Sequence, residues 1–218
     1  MRIVTWNLYH GRSKPPAGRP LLDEFAQTLA AWEWDVALLQ EVPPWWPPEL
    51  ARVAGAQQRS ALTSRNSLLW LRRAIASRWP DLIKSGGGGA NAILVRGPIL
   101  AHARVRLSWL PERRVAHGVA LADGTWVVNL HANTHPHERT LADCRRALER
   151  ARAWSAGAPL VFGGDLNQRH PAALPGLVHV AGHWVDHLFT QGMGPAGKGD
   201  VLEAGALSDH KPLAVKVG

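Results

Sequence analysis

Residues Leu160 to Asn167 read Leu-Val-Phe-Gly-Gly-Asp-Leu-Asn, an apolar run opened by Pro159 that ends in two glycines, a carboxylate and an amide. With no charge before Asp165, the run predicts a strand packed on both faces that delivers Asp165 and Asn167 to the mouth of a sheet. The two glycines would let backbone approach a ligand closely. Two positions apart on an extended chain, Asp165 and Asn167 would share one face. A carboxylate can orient or deprotonate a water, and an amide can donate to a phosphoryl oxygen, so the pair suits hydrolysis. Gly-Gly-Asp also makes ordinary turns, so other segments must supply the context.

The chain has 218 residues, 46% of them hydrophobic, which is enough for one sizeable core; it is read as one domain over residues 1–218. The first strand pattern, Arg2 to Trp6, stops at Asn7. Leu21, Leu22, Phe25, Leu29 and Trp32 then recur at helical spacing, with Asp23 and Glu24 near the helix start, and Val36 to Leu39 is a second apolar run ending in Gln40-Glu41. This strand, helix, strand order places Asn7 and Glu41 at comparable strand ends, where Glu41 could hold a hard cation or be a solvated loop glutamate. Pro43 to Pro48 is too rich in proline for regular structure and offers Trp45 and Trp46, one of them expected to pack inward. A helix is expected in the fifties and another over Leu68 to Trp79, with Arg72, Arg73 and Arg78 toward solvent. Ser85 to Gly89 breaks the pattern. Its glycines are not a nucleotide-binding loop, because no Gly-Lys-Ser/Thr follows and Ala90 to Val95 is strand-like.

From Leu100 to His131 the chain alternates, with Asp123-Gly124 as a hairpin turn between Val115–Leu121 and Thr125–Leu130. The hairpin ends in His131-Ala-Asn-Thr-His-Pro-His137. His131, Asn133 and His135 could face one pocket and bind zinc, or one histidine could contact a phosphate. Glu138 to Trp154 reads as a helix with Leu141, Cys144, Leu148 and Ala151 inward; Cys144, the single cysteine, has no internal disulfide partner and is assigned to the core. Downstream, Leu177 to Val180 and Gly182 to Phe189 read as strands. Asp186 interrupts the second, which is costly unless it has a partner. Ser208-Asp-His210 precedes the closing strand Leu213 to Val217, and His210 is a natural partner for Asp186.

Taken together, Trp6-Asn7, Leu39-Gln-Glu41, Asn91-Ala-Ile-Leu, His131, Gly164-Asp-Leu-Asn167, Val185-Asp-His187 and Ser208-Asp-His210 stand in the order of a known family. In these motifs, over essentially its whole length, the chain resembles the endonuclease/exonuclease/phosphatase family. The resemblance implies a four-layer α/β/β/α sandwich, two mixed, largely antiparallel sheets face to face with helices outside, and metal-dependent phosphoester hydrolysis. It implies Glu41 as principal Mg²⁺ ligand, with Mn²⁺ a substitute and Asn7 and Asp209 completing or supporting the metal shell. It further implies Asp165 as the group that orients or activates the attacking water, Asn167 on the scissile phosphate, an Asp186–His210 dyad, and His131 as a second phosphate-contacting or proton-donating group, with Asn133 a candidate to assist it. Which histidine is acid and which base is left open.

Charge bears on the substrate. Residues 52 to 114 hold 12 Lys+Arg against Asp81 and Glu112, a net of +10 where the whole chain carries +8, so the remainder is −2. Such a block suits a polyanion, with Arg72 and Arg73 as candidate contacts, although arginines outnumber lysines 20 to 5 throughout. The family's abasic-site enzymes follow the metal glutamate with Thr-Lys, whereas Val42-Pro43 stands here, and only 18 residues separate Asn167 from Asp186. Both departures weaken an abasic-site role. The expectation is a nuclease or phosphodiesterase on nucleic acid, with a phospholipid or small phosphate-ester hydrolase as the alternative. A non-catalytic binding module would have lost one of Glu41, Asp165 or His210. Met1-Arg-Ile-Val enters a strand directly, without the basic and apolar regions of a leader, and no run is long enough to span a bilayer. A soluble cytoplasmic monomer is expected.

Overall fold

The computed structural model describes residues 1–64, 66–83, 89–110 and 112–218. Arg65, Lys84 and the stretch 85–88, which carries most of the glycine run, lie outside the described residues. The strands are β1 (Arg2–Asn7), β2 (Val36–Val42), β3 (Gln57–Leu62), β4 (Ala90–Val95), β5 (Ile99–Ser108), β6 (Arg114–Leu121), β7 (Trp126–His131), β8 (Leu160–Asp165), β9 (Val178–His183), β10 (Asp186–Gln191), β11 (Asp200–Val201) and β12 (Leu213–Lys216). The helices are α1 (Leu22–Ala31), α2 (Pro47–Ala54), α3 (Leu69–Arg78) and α4 (His137–Ser155).

Two six-stranded sheets form, one in the order β11-β12-β1-β2-β4-β3 and the other β5-β6-β7-β8-β10-β9. Among the described residues only β1–β2 and β7–β8 pair in parallel; the other ladders are antiparallel. Three apolar layers hold the stack. Phe25, Leu29 and Leu50 of α1 and α2 pack with Val4, Trp6 and Leu39 on the outer face of the first sheet. Ile3, Val36, Leu38, Val127, Val161 and Leu188 fill the space between the sheets. Cys144, Ala147, Leu148 and Ala151 of α4 cover Val128, Leu130 and Phe162 on the outer face of the second. This is an α/β/β/α sandwich.

The period-2 alternation of strands explains why the core changes character along its length. On the face between the sheets, β1 presents Ile3, Thr5 and Asn7, β2 presents Val36, Leu38 and Gln40, and β7 presents Val127, Asn129 and His131. On the same face β8 runs from Val161 to Asp165, and β10 from Leu188 back to Asp186. One end of the inter-sheet core is thus apolar, the middle amide-bearing, and the other end ionisable. In the middle, Gln40 Nε2 donates to Asn129 Oδ1 at 2.8 Å, and Asn129 Nδ2 donates to the carbonyls of Leu39 and Ala92 at 2.9 Å each, where the β2–β4 ladder is irregular. Asn129→Leu would leave these buried partners unsatisfied, so it is expected to lower unfolding free energy by about 2–4 kcal/mol, read by urea denaturation.

Several expectations change. The Pro43–Pro48 stretch is not wholly irregular: Pro47 and Pro48 open α2, where the first-turn nitrogens have no intrahelical acceptor to lose. Trp46 is buried against Phe25, and Trp45 stays half-buried. Gly182 to Phe189 is a hairpin and not one strand, because Trp184 adopts φ 55° between β9 and β10; Asp186 therefore begins β10 instead of interrupting it. The glycines of β8 face neighbouring backbone rather than a ligand: a Cβ on Gly163 would collide with the carbonyl oxygen of His187, and one on Gly164 with that of Leu130. The edge strands β3 and β11, polar in sequence, are additional elements.

Candidate active site

Sheet register sets three of the functional side chains abreast. His131 pairs with Asp165 across β7–β8, and Asp165 with Asp186 across β8–β10, so the last residues of β7 and β8 and the first of β10 form one row. Residues in such a row have side chains about 5 Å apart. Facing this row, Asn7 ends β1 and Glu41 lies in an irregular stretch of β2 with φ 50°. Left-handed backbone at a residue with a Cβ costs about 1–2 kcal/mol, and here it recurs at His10 (φ 55°), Asn167 (φ 53°) and Ser208 (φ 65°). At Glu41, His10 and Asn167, which line one cavity, side-chain direction outweighs backbone preference. The irregularity re-aims Glu41 out of the strand alternation.

The cavity measures about 340 Å³ and is lined by Asn7, Glu41, His131, Asp165, Asn167 and His210, with His10, Thr63, Ser64, Glu112, Arg114 and Thr134 completing the wall. At its floor Asp165, 2% exposed, accepts hydrogen bonds from Asn7 Nδ2 (2.9 Å) and from the Asn167 backbone N–H (3.0 Å). His131 Nε2 stands 3.5 Å from Asp165 Oδ2 and its Nδ1 4.0 Å from Glu41 Oε1. Asn167 has left the strand, so it does not share a face with Asp165 by alternation. Its Nδ2 donates to the Ala132 carbonyl at 2.9 Å, which fixes the amide and leaves its second N–H for a ligand.

The His210 loop is tied to β1. Ser208 Oγ donates to the Asn7 carbonyl (2.6 Å) and accepts from the His210 N–H (3.0 Å), while Trp6 Nε1 donates to the His210 carbonyl (3.1 Å). His210 Nδ1 lies 2.7 Å from Asp186 Oδ2, with its Nε2 3.9 Å from Asp165. Burial works against a charged ring, yet the hydrogen bond and charge of Asp186, with Asp165 and Asp209 behind it, prevail and push the His210 pKa up to about 9. Burial also pushes the Asp186 carboxyl upward. We place the dyad's proton on the imidazole, because three carboxylates favour a positive ring. His131 is the opposite case: burial, then the charge of Arg114, hold it well below the ordinary histidine value and keep it neutral. Burial and the nearby Asp165 raise Glu41 to about 7.

Other predicted residues sit elsewhere. Asn133 does not reach the cavity, because β7 stops at His131; its backbone N–H and Nδ2 donate to Asp143 Oδ2 (2.9 and 2.7 Å), anchoring the loop to α4. His135 is exposed and the three-residue zinc face does not form. Asp209 is exposed and outside the cavity wall, acting on His210 and Glu41 through its charge. Arg72 and Arg73 lie on α3, away from the wall; the Arg73 guanidinium stands 6.0 Å from the Trp45 ring. Two wall residues carried no signal of their own. His10 Nε2 lies 3.1 Å from Glu41 Oε2, and Arg114, nearly buried, pairs with Glu112 at 2.9 Å. Arg114 was one arginine among many, and His10 belonged to a turn.

The donor set at the Asn7–Glu41 wall is oxygen and imidazole, with the only cysteine buried in the α4 core, which fits a hard divalent cation better than a soft one. The charge of Asp165, which helps to raise Glu41, makes this the kind of crowded carboxylate arrangement that a cation relieves. A second geometric group, Asp165, Asp186 and His210, has ligand atoms within 4.8 Å of one another. No helix among the described residues is long and apolar enough to cross a membrane.

The family model for the endonuclease/exonuclease/phosphatase family matches residues 4–210. No curated protein matches the chain significantly. Similar solved structures include an endonuclease/exonuclease/phosphatase from Beutenbergia cavernae DSM 12333, at 18% identity and TM-score 0.77 over 100% of this chain and 71% of that one. A mannosyl-6-phosphatase from Bacteroides thetaiotaomicron VPI-5482 gives 16% and 0.71 over 100% and 99%. TDP2 from Caenorhabditis elegans gives 16% and 0.67 over 99% and 73%. At these identities the likeness is one of fold, but the family match spans nearly the whole sequence, and the chain belongs to the endonuclease/exonuclease/phosphatase family, whose members are hydrolases of phosphoester bonds and generally depend on a divalent metal.

Proposed function

We propose that the protein is a Mg²⁺-dependent phosphodiesterase, with Mn²⁺ as a substitute, that cleaves nucleic acid. The observation that carries this reading is the row His131, Asp165, Asp186 with His210 and Asn167 around a cavity whose opposite wall holds Asn7 and Glu41. We assign the cation to Glu41 and Asn7 rather than to Asp165, Asp186 and His210, because the latter group is already closed by the 2.7 Å dyad contact and carries a positive ring. When bound there, the cation would supply charge neutralisation at a phosphoryl oxygen. Asp165, held in place by Asn7 and the Asn167 N–H, takes the proton of the attacking water as its oxygen bonds to phosphorus, while the ester P–O bond breaks and the leaving oxygen takes up a proton from solvent. The cationic His210, fixed by Asp186, donates to a phosphoryl oxygen, as does the second N–H of Asn167, so charge building on phosphorus meets donors already in position. Neutral His131 keeps one ring N–H for the same group. Asp209 reinforces the positive state of His210 from outside.

The basic region between residues 52 and 114 favours a polyanion. A panel of plasmid DNA, RNA, sphingomyelin, phosphoinositides and bis-p-nitrophenyl phosphate in Mg²⁺ and Mn²⁺ decides the substrate. Nucleic acid turnover is expected; turnover of lipid or inositol phosphates without nucleic acid would move the reading to the small-ester alternative. Glu41→Ala is expected to weaken Mg²⁺ binding at least about tenfold with little change in fold, since Glu41 faces the cavity and packs against no core layer. Calorimetry showing unchanged Mg²⁺ affinity would remove Glu41 from the metal site.

A further inference from the structure

At one flank of the sandwich the two sheets end in β3 and β5, and there the face between the sheets turns basic. Cross-strand register puts Arg59 and Ala61 of β3 on the face shared with Ile93 and Asn91 of β4, and Arg104 and Arg106 of β5 on the face shared with His117 and Val115 of β6. These are positions that further inside the sandwich carry valine, leucine or isoleucine. Between the edge strands opens a cleft of about 350 Å³ lined by Ala61, Leu62, Arg104, Arg106, Arg113 and Val115. Arg2, Arg19, Arg52 and Arg114 have carboxylate partners, but among the described residues Arg59, Arg104, Arg106 and Arg113 form no ion pair. Arg113 is spent on the Leu62 and Thr63 carbonyls, while Arg104 and Arg106 stay exposed. The ring of His102 registers the same field: burial, then the charges of Arg59 and Arg104, lower its pKa.

This cleft adjoins the catalytic cavity. Leu62 lines one and Thr63 and Ser64 the other; Arg113 lines one and Arg114 the other. The two are parted where these segments cross: the Ser64 N–H donates to the Arg113 carbonyl at 2.9 Å, and Arg113 Nη2 donates back to the Leu62 and Thr63 carbonyls. Arg104 and Arg106, two residues apart on a strand, lie about 7 Å from each other along the cleft. At its rim Trp109 is 52% exposed, with the Arg106 guanidinium 5.1 Å from its ring centroid. A basic track with an accessible aromatic ring is the surface that holds single-stranded nucleic acid, phosphates on cations and a base on the ring.

We propose that the β3–β5 cleft is a second anion subsite, in which Arg104 and Arg106 seat backbone phosphates flanking the scissile one on a single strand, with Trp109 offering a stacking surface. The inference rests on the phosphodiesterase reading above and fixes the side on which the substrate leaves the catalytic cavity. It also moves the polyanion footprint from Arg72 and Arg73 on α3 to the edge strands β3 and β5.

The test is fluorescence anisotropy of a labelled oligothymidylate with chelator present, from about 50 to 200 mM salt, for the parent protein, Arg104→Ala/Arg106→Ala, Trp109→Ala and the charge-matched Arg72→Ala/Arg73→Ala. The Arg104/Arg106 pair is expected to weaken binding about tenfold or more and to reduce the log-log salt slope by about 1.4, two single-strand contacts at about 0.7 each. Trp109→Ala should weaken binding with the slope unchanged, and the Arg72/Arg73 pair should do markedly less than the Arg104/Arg106 pair. Equal losses from both arginine pairs, or no loss from Arg104/Arg106, would overturn the subsite. The same proteins are assayed on bis-p-nitrophenyl phosphate in Mg²⁺, where the arginine variants should match the parent. Diester turnover without oligonucleotide binding refutes the subsite alone. Binding that depends on Arg104 and Arg106 without any diester turnover refutes the catalytic reading while leaving an anion site in the cleft.

Discussion

Asp165→Ala is expected to lower kcat on any phosphodiester by about 10³-fold or more, with KM changed little and the protein still folded. The carboxylate ends the central strand, is buried, and is held by two donors that have no other reason to converge, Asn7 Nδ2 and the Asn167 N–H. Loss of a general base costs about 10²–10⁴ in rate, and here the same substitution also removes the acceptor that orients Asn7 and the field that favours a positive His210. Its effect on metal binding is the distinguishing feature. Asp165 is one of the causes raising Glu41, so Glu41 in the variant should titrate at lower pH, and Mg²⁺ should still bind. Initial rates with bis-p-nitrophenyl phosphate, alongside calorimetry, check both halves. An Asp165→Ala protein with parental turnover would take Asp165 out of the chemistry.

Asp186→Asn is expected to cut kcat by about 10²–10³-fold while leaving KM within a few-fold, because an amide neither stabilises the imidazolium of His210 nor selects its tautomer. The pH dependence carries a sign. In the parent, His210 is positive below about 9, so activity that needs the charged ring is lost as pH rises through about 9. Without Asp186 the ring keeps its burial but loses its nearest carboxylate, so its pKa must fall and the alkaline limb must move to lower pH. NMR titration of His210 reads this independently of turnover; an unmoved pKa in Asp186→Asn would sink the dyad.

Much of this was legible because strands alternate. Leu160 to Asp165 reads as a buried strand from its lack of charge, and it is buried throughout. The Asp186–His210 pairing follows from two side chains that each need a partner. The rest depended on where chains cross. Trp184 breaks Gly182 to Phe189 into a hairpin through its backbone conformation, which a run of apolar residues does not reveal. Asn133 looks like a pocket residue by alternation from His131, but the strand ends two residues before it and the amide is claimed by Asp143, ten positions away on a helix. Arg114 and His10 reach the cavity only because β6 begins and the Tyr9–Gly11 turn bends where they do. The net charge of residues 52 to 114 was readable, yet its distribution was not: Arg52 is neutralised by Glu49 on the surface of α2, and Arg96 is engaged in holding the fold by donating to the carbonyls of Ala30 and Trp32.

The central claim is that the polar end of the inter-sheet core performs metal-assisted hydrolysis of a phosphodiester. Release of p-nitrophenolate from bis-p-nitrophenyl phosphate by the purified protein, followed in chelator and then with Mg²⁺ or Mn²⁺ restored, tests it directly. No turnover is expected in chelator, with recovery on adding either metal and no recovery in Asp165→Ala. Turnover that persists in chelator, or that Asp165→Ala retains in full, would contradict it.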